Sequence, residues 1–150
     1  MLLAGVHHAC VIVSDMAKSL AFYRDLLGLK EEVNEVFDAD PVMMGLPGTK
    51  PKQHIVFLSA GNTLVELIQY LNPRGKPIVS RTCDFGGMHI CFRPTDMAKS
   101  YEFLKSKGVE FHKPPACIGK EGKGLAGLWY VYFRGPDNEI LELMQPSEAT

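Results

Sequence analysis

The sequence lacks the features that indicate a nucleic-acid or membrane partner. Sixteen lysines and arginines balance seventeen aspartates and glutamates, for a formal charge of −1, and no basic block or arginine cluster interrupts the mixture. Without a concentrated positive patch, a protein has no electrostatic attraction for nucleic acid or for an anionic membrane surface. We therefore expect a small-molecule substrate as the partner, with no nucleic acid and no membrane.

Cysteine pairs and long apolar runs are also missing. None of the four cysteines stands in a CxxC pair, and we find neither a signal peptide nor an apolar run of membrane-spanning length. These absences favour a reduced, cytoplasmic protein. Cys10 and Cys91 lie in apolar stretches, so we expect them to be small buried side chains, the commoner fate of free cysteine.

One pentapeptide occurs twice in the chain. Residues 15–19 read Asp-Met-Ala-Lys-Ser, and residues 96–100 repeat them. His8 and His89 each stand seven residues before the repeated aspartate, so the two histidines are separated by 81 positions. A repeat that extends beyond one short motif predicts that one half of the chain is a copy of the other.

A second match lies near the end of each half. Residues 62–69 (NTLVELIQ) and 138–145 (NEILELMQ) align at an offset of 76, which places Glu66 opposite Glu142. The change of offset from 81 to 76 means that the loops of the two halves differ in length. Each half therefore contributes one histidine on its first strand and one glutamate on its last.

The hydrophobic pattern of each half predicts a strand, a helix and three more strands. In the first half the strands are predicted at 6–13, 29–37, 53–59 and 63–70, with a helix from 16 to 27 that ends at Gly28. In the second half the strands are predicted at 87–93, 109–112, 125–133 and 139–145, with a helix at 96–107 that ends at Gly108. The fold class is therefore α+β. Two βαβββ modules, at 1–72 and 87–150, form one structural domain through a Gly- and Pro-rich linker at 73–86.

Both faces of the first predicted strand are apolar. His8 and Cys10 share one face, whereas Ala9 and Val11 share the other, because side chains alternate along a strand. One face must receive the helix. The other face must be covered by another part of the structure, and a curved sheet that faces its duplicate would provide an enclosed cleft.

Two carboxylates lie in the middle of apolar runs, Glu66 in LVELI and Glu142 in ILELM. Burial of a carboxylate there is costly unless a cation or a hydrogen-bond donor meets it. If the two copies face each other, these carboxylates converge with the imidazoles of His8 and His89. Two nitrogen and two oxygen donors suit a divalent Zn, Ni, Co, Mn or Fe ion, with one or two positions left for water or substrate.

Each of these four residues, taken singly, has a simpler explanation. A histidine at the start of a strand is more often a surface or hydrogen-bonded core residue, and a strand glutamate more often faces solvent. The duplication of both residues together favours the metal. His7 is expected on the opposite face as a structural residue, and His54 and His112, which have no duplicates, are interpreted as core or surface residues.

Four features together are typical of one superfamily. They are the repeated strand, helix and three strands, the histidine seven residues before each aspartate, the FYRDLLGLK stretch at 22–30, and the terminal LVEL and ILEL strands. From about residue 6 to 145 the chain resembles the vicinal oxygen chelate superfamily. That superfamily includes glyoxalase I, methylmalonyl-CoA epimerase, type I extradiol dioxygenases and the fosfomycin and bleomycin resistance proteins.

The resemblance implies an open mixed-sheet barrel around a metal cleft. His8, Glu66, His89 and Glu142 would bind a divalent ion that chelates two neighbouring oxygens of a small substrate. Such an ion stabilises an enolate or enediolate, which makes removal of a proton next to a carbonyl easier. A displaced carboxylate would be the catalytic base, with Glu142 the first candidate and Glu66 the second. The resemblance also implies a homodimer, with each metal site within one chain or shared between two.

The complete set of four ligands favours proton-transfer chemistry of the lactoylglutathione lyase or methylmalonyl-CoA epimerase type. An extradiol ring-cleavage dioxygenase uses Fe(II) with two histidines and one carboxylate, so a fourth ligand at Glu66 argues against that reaction. A non-catalytic small-molecule-binding or resistance protein is a hypothesis of a different class. The sequence does not select between a glutathione and a coenzyme A substrate.

Overall fold

The regular structure of residues 2–146, the part of the chain that the computed structural model describes, comprises eight strands, two α-helices, a π-helical segment and a 3-10 helix. In chain order the strands are β1 (His8–Ile12), β2 (Lys30–Asp38), β3 (Lys52–Ser59), β4 (Leu64–Asn72), β5 (His89–Phe92), β6 (Ala116–Cys117), β7 (Trp129–Arg134) and β8 (Ile140–Gln145). Helix α1 (Met16–Leu20) continues as a π-helical segment, Ala21–Leu26, and helix α2 spans Met97–Ser106.

The chain divides into two compact units, Met1–Ile78 and Val79–Thr150, and each contains one four-stranded sheet. The strand order is β1-β4-β3-β2 in the first unit and β5-β8-β7-β6 in the second. The first strand of each unit runs parallel to the last, and the other pairs are antiparallel. The prediction of an α+β fold with two mixed sheets is confirmed. No helix among the described residues has the length and apolarity needed to span a membrane.

Each helix begins at the repeated pentapeptide because its aspartate is an N-cap. The Asp15 carboxylate accepts a hydrogen bond from the Lys18 backbone N–H at 3.1 Å, and Asp96 accepts from the Lys99 N–H at 3.0 Å. Both aspartates are extended, with φ of −145° and −152°. An N-cap side chain satisfies a donor that the first helical turn would otherwise leave unpaired.

A glutamine at the end of each sheet also binds the start of the helix. The Met16 backbone N–H donates to Gln69 Oε1 at 3.1 Å, and the Met97 N–H donates to Gln145 Oε1 at 2.6 Å. Because Gln69 and Gln145 belong to the strands that carry Glu66 and Glu142, these bonds fix each helix against the strand of the candidate site. Gly28 and Gly108, with φ of +78° and +86°, end the helical segments as predicted.

The core of each unit lies between the helix and one face of the sheet. Val65 and Leu67 of β4, like Leu141 and Leu143 of β8, lie on one face of the sheet, and the glutamates lie on the other face, because side chains alternate along a strand. The buried apolar side chains are Val13, Met16, Leu20, Tyr23, Val56, Leu58, Val65 and Leu67 in the first unit, and Met97, Tyr101, Leu104, Val131, Phe133, Ile140, Leu141 and Leu143 in the second.

The prediction of a strand at 109–112 is wrong. Phe111 forms only an isolated bridge with Phe133, and the strand at the edge of the second sheet is β6, which lies between the predicted strands at 109–112 and 125–133. The apolar side chain at position 111 reflects core packing and not membership of a β-ladder, because the Phe111 ring lies 4.8 Å from the Tyr101 ring and 5.2 Å from the Phe133 ring. Strand β7 also begins later than predicted, after a 3-10 helix at Lys120–Leu125. Residues 147–150, which belong to the predicted second module, lie outside the described residues.

Candidate metal centre

In the first unit, strand pairing brings His8 and Glu66 together. Parallel pairing of β1 with β4 sets Cys10 level with Glu66, and antiparallel pairing of β3 with β4 sets Phe57 level with the same glutamate. Side chains of direct cross-strand partners project from one face. His8, two residues before Cys10, shares that face, and its Nε2 lies 3.2 Å from Glu66 Oε2.

In the second unit, the same pattern brings His89 and Glu142 together. Strand β5 pairs in parallel with β8, so that Cys91 is level with Glu142, and β7 places Tyr132 on its other side. His89 Nε2 lies 3.0 Å from Glu142 Oε2. Each predicted histidine is therefore in contact with the predicted glutamate of its own half.

The carboxylates are buried, whereas the imidazoles remain open to solvent. Glu66 is 8% exposed and Glu142 is 3% exposed, which matches the burial expected from their apolar sequence neighbours. The side chains of His8 and His89 are 36% and 42% exposed. A buried carboxylate needs a compensating donor or cation, and in each unit the imidazole is on its solvent side.

The spacing within each pair fits two ligands of one divalent ion. Ligand atoms about 2.1 Å from a metal lie roughly 3.0 to 3.4 Å apart in octahedral or tetrahedral geometry, and the two contacts measure 3.2 and 3.0 Å. Among residues 2–146, no three His, Cys, Asp or Glu side chains form a group able to hold a metal ion. Each pair, here called a half-site, thus offers two ligand atoms at a spacing that suits one divalent ion.

The expectation that Cys10 and Cys91 are buried is wrong, because both are exposed. They share the face of the histidine and glutamate instead of the face covered by the helix. Partial desolvation, reinforced by the Glu66 carboxylate, raises the pKa of Cys10 to about 12, and desolvation with Glu142 raises that of Cys91 to about 12. Both are therefore neutral thiols near pH 7.

An aromatic ring packs edge-on against each histidine, and the sequence analysis did not include either one. The Phe57 ring lies 5.5 Å from the His8 ring, and the Tyr132 ring lies 5.5 Å from the His89 ring. Desolvation, followed by the Glu142 carboxylate, raises the pKa of Tyr132. The sequence could have identified these two rings, because each half has an aromatic residue on the strand that precedes the strand with the glutamate. The aromatic residue precedes the glutamate by nine residues in one half and by ten in the other, so Phe57 and Tyr132 did not align in the sequence.

The sequence predicted that His7 would lie on the face opposite the candidate site. In the structure it lies beside His8 instead. Its Nδ1 is 2.9 Å from Nδ1 of His8, and its ring packs edge-on against Phe57 at 6.3 Å. Strand β1 begins only at His8, so strict alternation does not extend to His7. His54, by contrast, bonds to Asn34 Oδ1 at 2.7 Å, away from the pair.

The fold and the paired residues define a known class of protein. The chain belongs to the Glyoxalase/Bleomycin resistance protein/Dioxygenase superfamily, whose family model matches residues 5–143. The resemblance seen in the sequence is thereby confirmed.

Two curated relatives in this superfamily are enzymes. Mouse mitochondrial methylmalonyl-CoA epimerase is 32% identical over 126 residues, which cover 81% of this chain and 63% of the mouse protein. Lactoylglutathione lyase from Schizosaccharomyces pombe is 28% identical over 159 residues, which cover 96% of this chain and 48% of that protein. The chain thus spans between about half and two thirds of the length of these relatives.

Solved structures share the fold over nearly the whole chain. A glyoxalase family protein from Bacillus cereus has a TM-score of 0.78 at 15% identity, with 97% of this chain and 95% of that chain covered. A fosfomycin resistance protein from Listeria monocytogenes, solved in complex with Mn(II) and sulfate, has a TM-score of 0.59 at 17% identity and covers 98% of this chain and 96% of its own. Such identities establish a common fold and nothing about substrate.

Proposed function

We propose that this chain is a divalent-metal-dependent enzyme that binds neighbouring oxygens of a small substrate and transfers a proton next to a carbonyl. The observation that carries the proposal is the pair of equivalent contacts, His8 to Glu66 at 3.2 Å and His89 to Glu142 at 3.0 Å. A single contact of this kind is adequately explained as a hydrogen bond. Its occurrence at corresponding positions of two sheets, each time with a buried carboxylate, favours one ion held by both pairs.

The four side chains would divide the chemistry between them. His8 and His89 would bind the ion through the imidazole Nε2 atoms, which already face the carboxylates. When bound, a divalent ion supplies Lewis-acid stabilisation of negative charge on a carbonyl oxygen. One carboxylate then accepts the proton from the neighbouring carbon, with Glu142 as our first candidate and Glu66 as the second.

Epimerisation of a coenzyme A thioester is the first candidate reaction. It is favoured because the epimerase relative has the higher identity, 32% against 28%, and matches over a larger share of its own length than the lyase does. Both activities require the same step, removal of a proton next to a carbonyl. They differ in the thiol that carries the reacting group, which is coenzyme A in one and glutathione in the other.

Several structural features belong to the same proposal. The two units would derive from one duplicated βαβββ module, with residues 73–86 as the linker, and would form an open barrel around the metal. The identical strand order of the two sheets supports the duplication. We further propose a cytoplasmic homodimer, with each metal site formed either by one chain or by two.

The test combines metal content with isotope exchange. Protein purified without chelator should contain about one divalent ion per chain, and it should incorporate deuterium at the α-carbon of methylmalonyl-CoA in D2O, observed by NMR. The matched control is His54→Ala, which removes a histidine outside both pairs and should keep the metal. In His89→Ala the metal content should fall.

Other outcomes would replace the proposal with a named alternative. Exchange only with the adduct of methylglyoxal and glutathione would select the lyase reaction. Iron content with ring cleavage of catechols under oxygen would select the dioxygenase, and tight binding of either substrate without turnover would select a binding protein. Absence of metal after each ion is added back would contradict the catalytic proposal altogether.

A further inference from the structure

The two glutamates are centred in corresponding cross-strand rows. In the first unit the row is Cys10, Glu66 and Phe57, and in the second unit it is Cys91, Glu142 and Tyr132. Each thiol interacts with the carboxylate of its own row, and each aromatic ring packs at 5.5 Å against the histidine of its own unit. The rows therefore differ in one group, the hydroxyl of the tyrosine.

That hydroxyl faces a carboxylate. Tyr132 is the direct cross-strand partner of Glu142, and its hydroxyl interacts with that carboxylate, whereas Phe57, the corresponding partner of Glu66, has no hydroxyl. Glu142 is also the more buried of the two carboxylates, since its side chain is 4% exposed and that of Glu66 is 11% exposed. A carboxylate that accepts a bond from a hydroxyl loses rotational freedom, and groups that orient a ligand in this way raise its effectiveness toward a metal.

We propose that Tyr132 is a positioning residue that orients Glu142 as a metal ligand, which makes the second half-site the stronger anchor for the ion. The inference rests on the proposed function, because it assigns an unequal share of metal binding to the two half-sites. The hydroxyl acts through Glu142 and does not itself need to touch the metal or the substrate. In the first unit Glu66 has no such support and would be the more easily displaced carboxylate. On this inference the order of candidates for the base is reversed, with Glu66 before Glu142.

The experiment is a Co2+ titration of metal-free protein, followed through the visible absorption of the bound ion. Loss of an outer partner of a ligand typically weakens metal affinity about 10- to 100-fold, so we expect Tyr132→Phe to bind Co2+ at least about tenfold more weakly and to show an altered spectrum. The matched control is Tyr130→Phe, because Tyr130 lies on the same strand and face but pairs with Met144. It should change affinity by less than about twofold.

A second variant covers the case in which Tyr132→Phe fails to fold. Phe57→Tyr adds the hydroxyl to the first row, leaves the second row intact, and should tighten Co2+ binding. Thermal melts in chelator serve as the measure of folding, since a merely structural role would lower the melting temperature without an effect on the Co2+ spectrum.

The results separate this inference from the proposed function. If the wild type binds Co2+ and Tyr132→Phe binds it equally well with the same spectrum, the inference is overturned and the metal centre stands. Unchanged affinity in a folded Phe57→Tyr would likewise contradict a role for the row hydroxyl. If the wild type binds no divalent ion at all, the proposed function fails, and the inference with it.

Discussion

Replacement of Glu142 by glutamine should change stability in opposite directions with and without metal. In the metal-free protein the carboxylate is 3% exposed, and its desolvation opposes folding. Glutamine keeps the shape and can still accept hydrogen bonds from His89 and Tyr132. We therefore expect the melting temperature of Glu142→Gln in chelator to equal or exceed that of the wild type.

With metal present, the same substitution should be destabilising. An ion at 100 times its dissociation constant stabilises the folded state by about 2.7 kcal/mol. Loss of an outer-shell partner costs 10- to 100-fold in affinity, so loss of the ligand Glu142 itself should cost about 100-fold or more. At the same concentration the variant would then gain only about 0.4 kcal/mol, a deficit of about 2.3 kcal/mol. For a chain of this size that deficit corresponds to roughly 5 to 9 °C.

Differential scanning calorimetry in chelator and in excess Co2+ measures the melting temperature of Glu142→Gln and of the wild type under both conditions. Glu102→Gln, on the exposed surface of α2, is the control for removal of one negative charge and should be insensitive to metal. An equal loss of stability by Glu142→Gln in both conditions would refute the reasoning. Glu142 would then be the ion-pair partner of His89 and no more.

Two further predictions concern the contacts that hold each helix to its sheet. Gln145→Leu removes the acceptor of the Met97 N–H and should lower the free energy of unfolding, measured in urea, by about 1 to 3 kcal/mol. Gln69→Leu should act in the same direction in the first unit. Unchanged urea midpoints for both variants would show that water replaces the amide. The Lys99 backbone N–H, followed by its ammonium, lowers the pKa of Asp96, so its stabilising effect is present above the unfolded pKa and is lost as pH falls through the folded value. The difference in melting temperature between wild type and Asp96→Asn should therefore shrink on acidification, and a difference independent of pH would contradict the cap.

Much of the fold could be predicted from local patterns. Asp15 and Asp96 open helices because they bond to backbone N–H groups three residues ahead, and Gly28 and Gly108 close them because a positive φ suits glycine. Such interactions depend on neighbours in sequence. The strand at 109–112 was mispredicted because the apolar character of this segment reflects packing of an aromatic ring in the core.

The sequence by itself determined that two histidines and two glutamates recur within matching motifs, because a repeat of residues is visible without a structure. Only the tertiary structure decided which atoms meet. The contact of His89 with Glu142 depends on the register of β5 and β8, two strands far apart in the sequence. The placement of Tyr132 beside that carboxylate depends on the register of the hairpin formed by β7 and β8. That register is set by burial of one whole sheet face against a helix, since a slip of one residue would exchange the two faces. Spacing along the chain does not contain this information, so Phe57 and Tyr132 became equivalent only when the strands were paired.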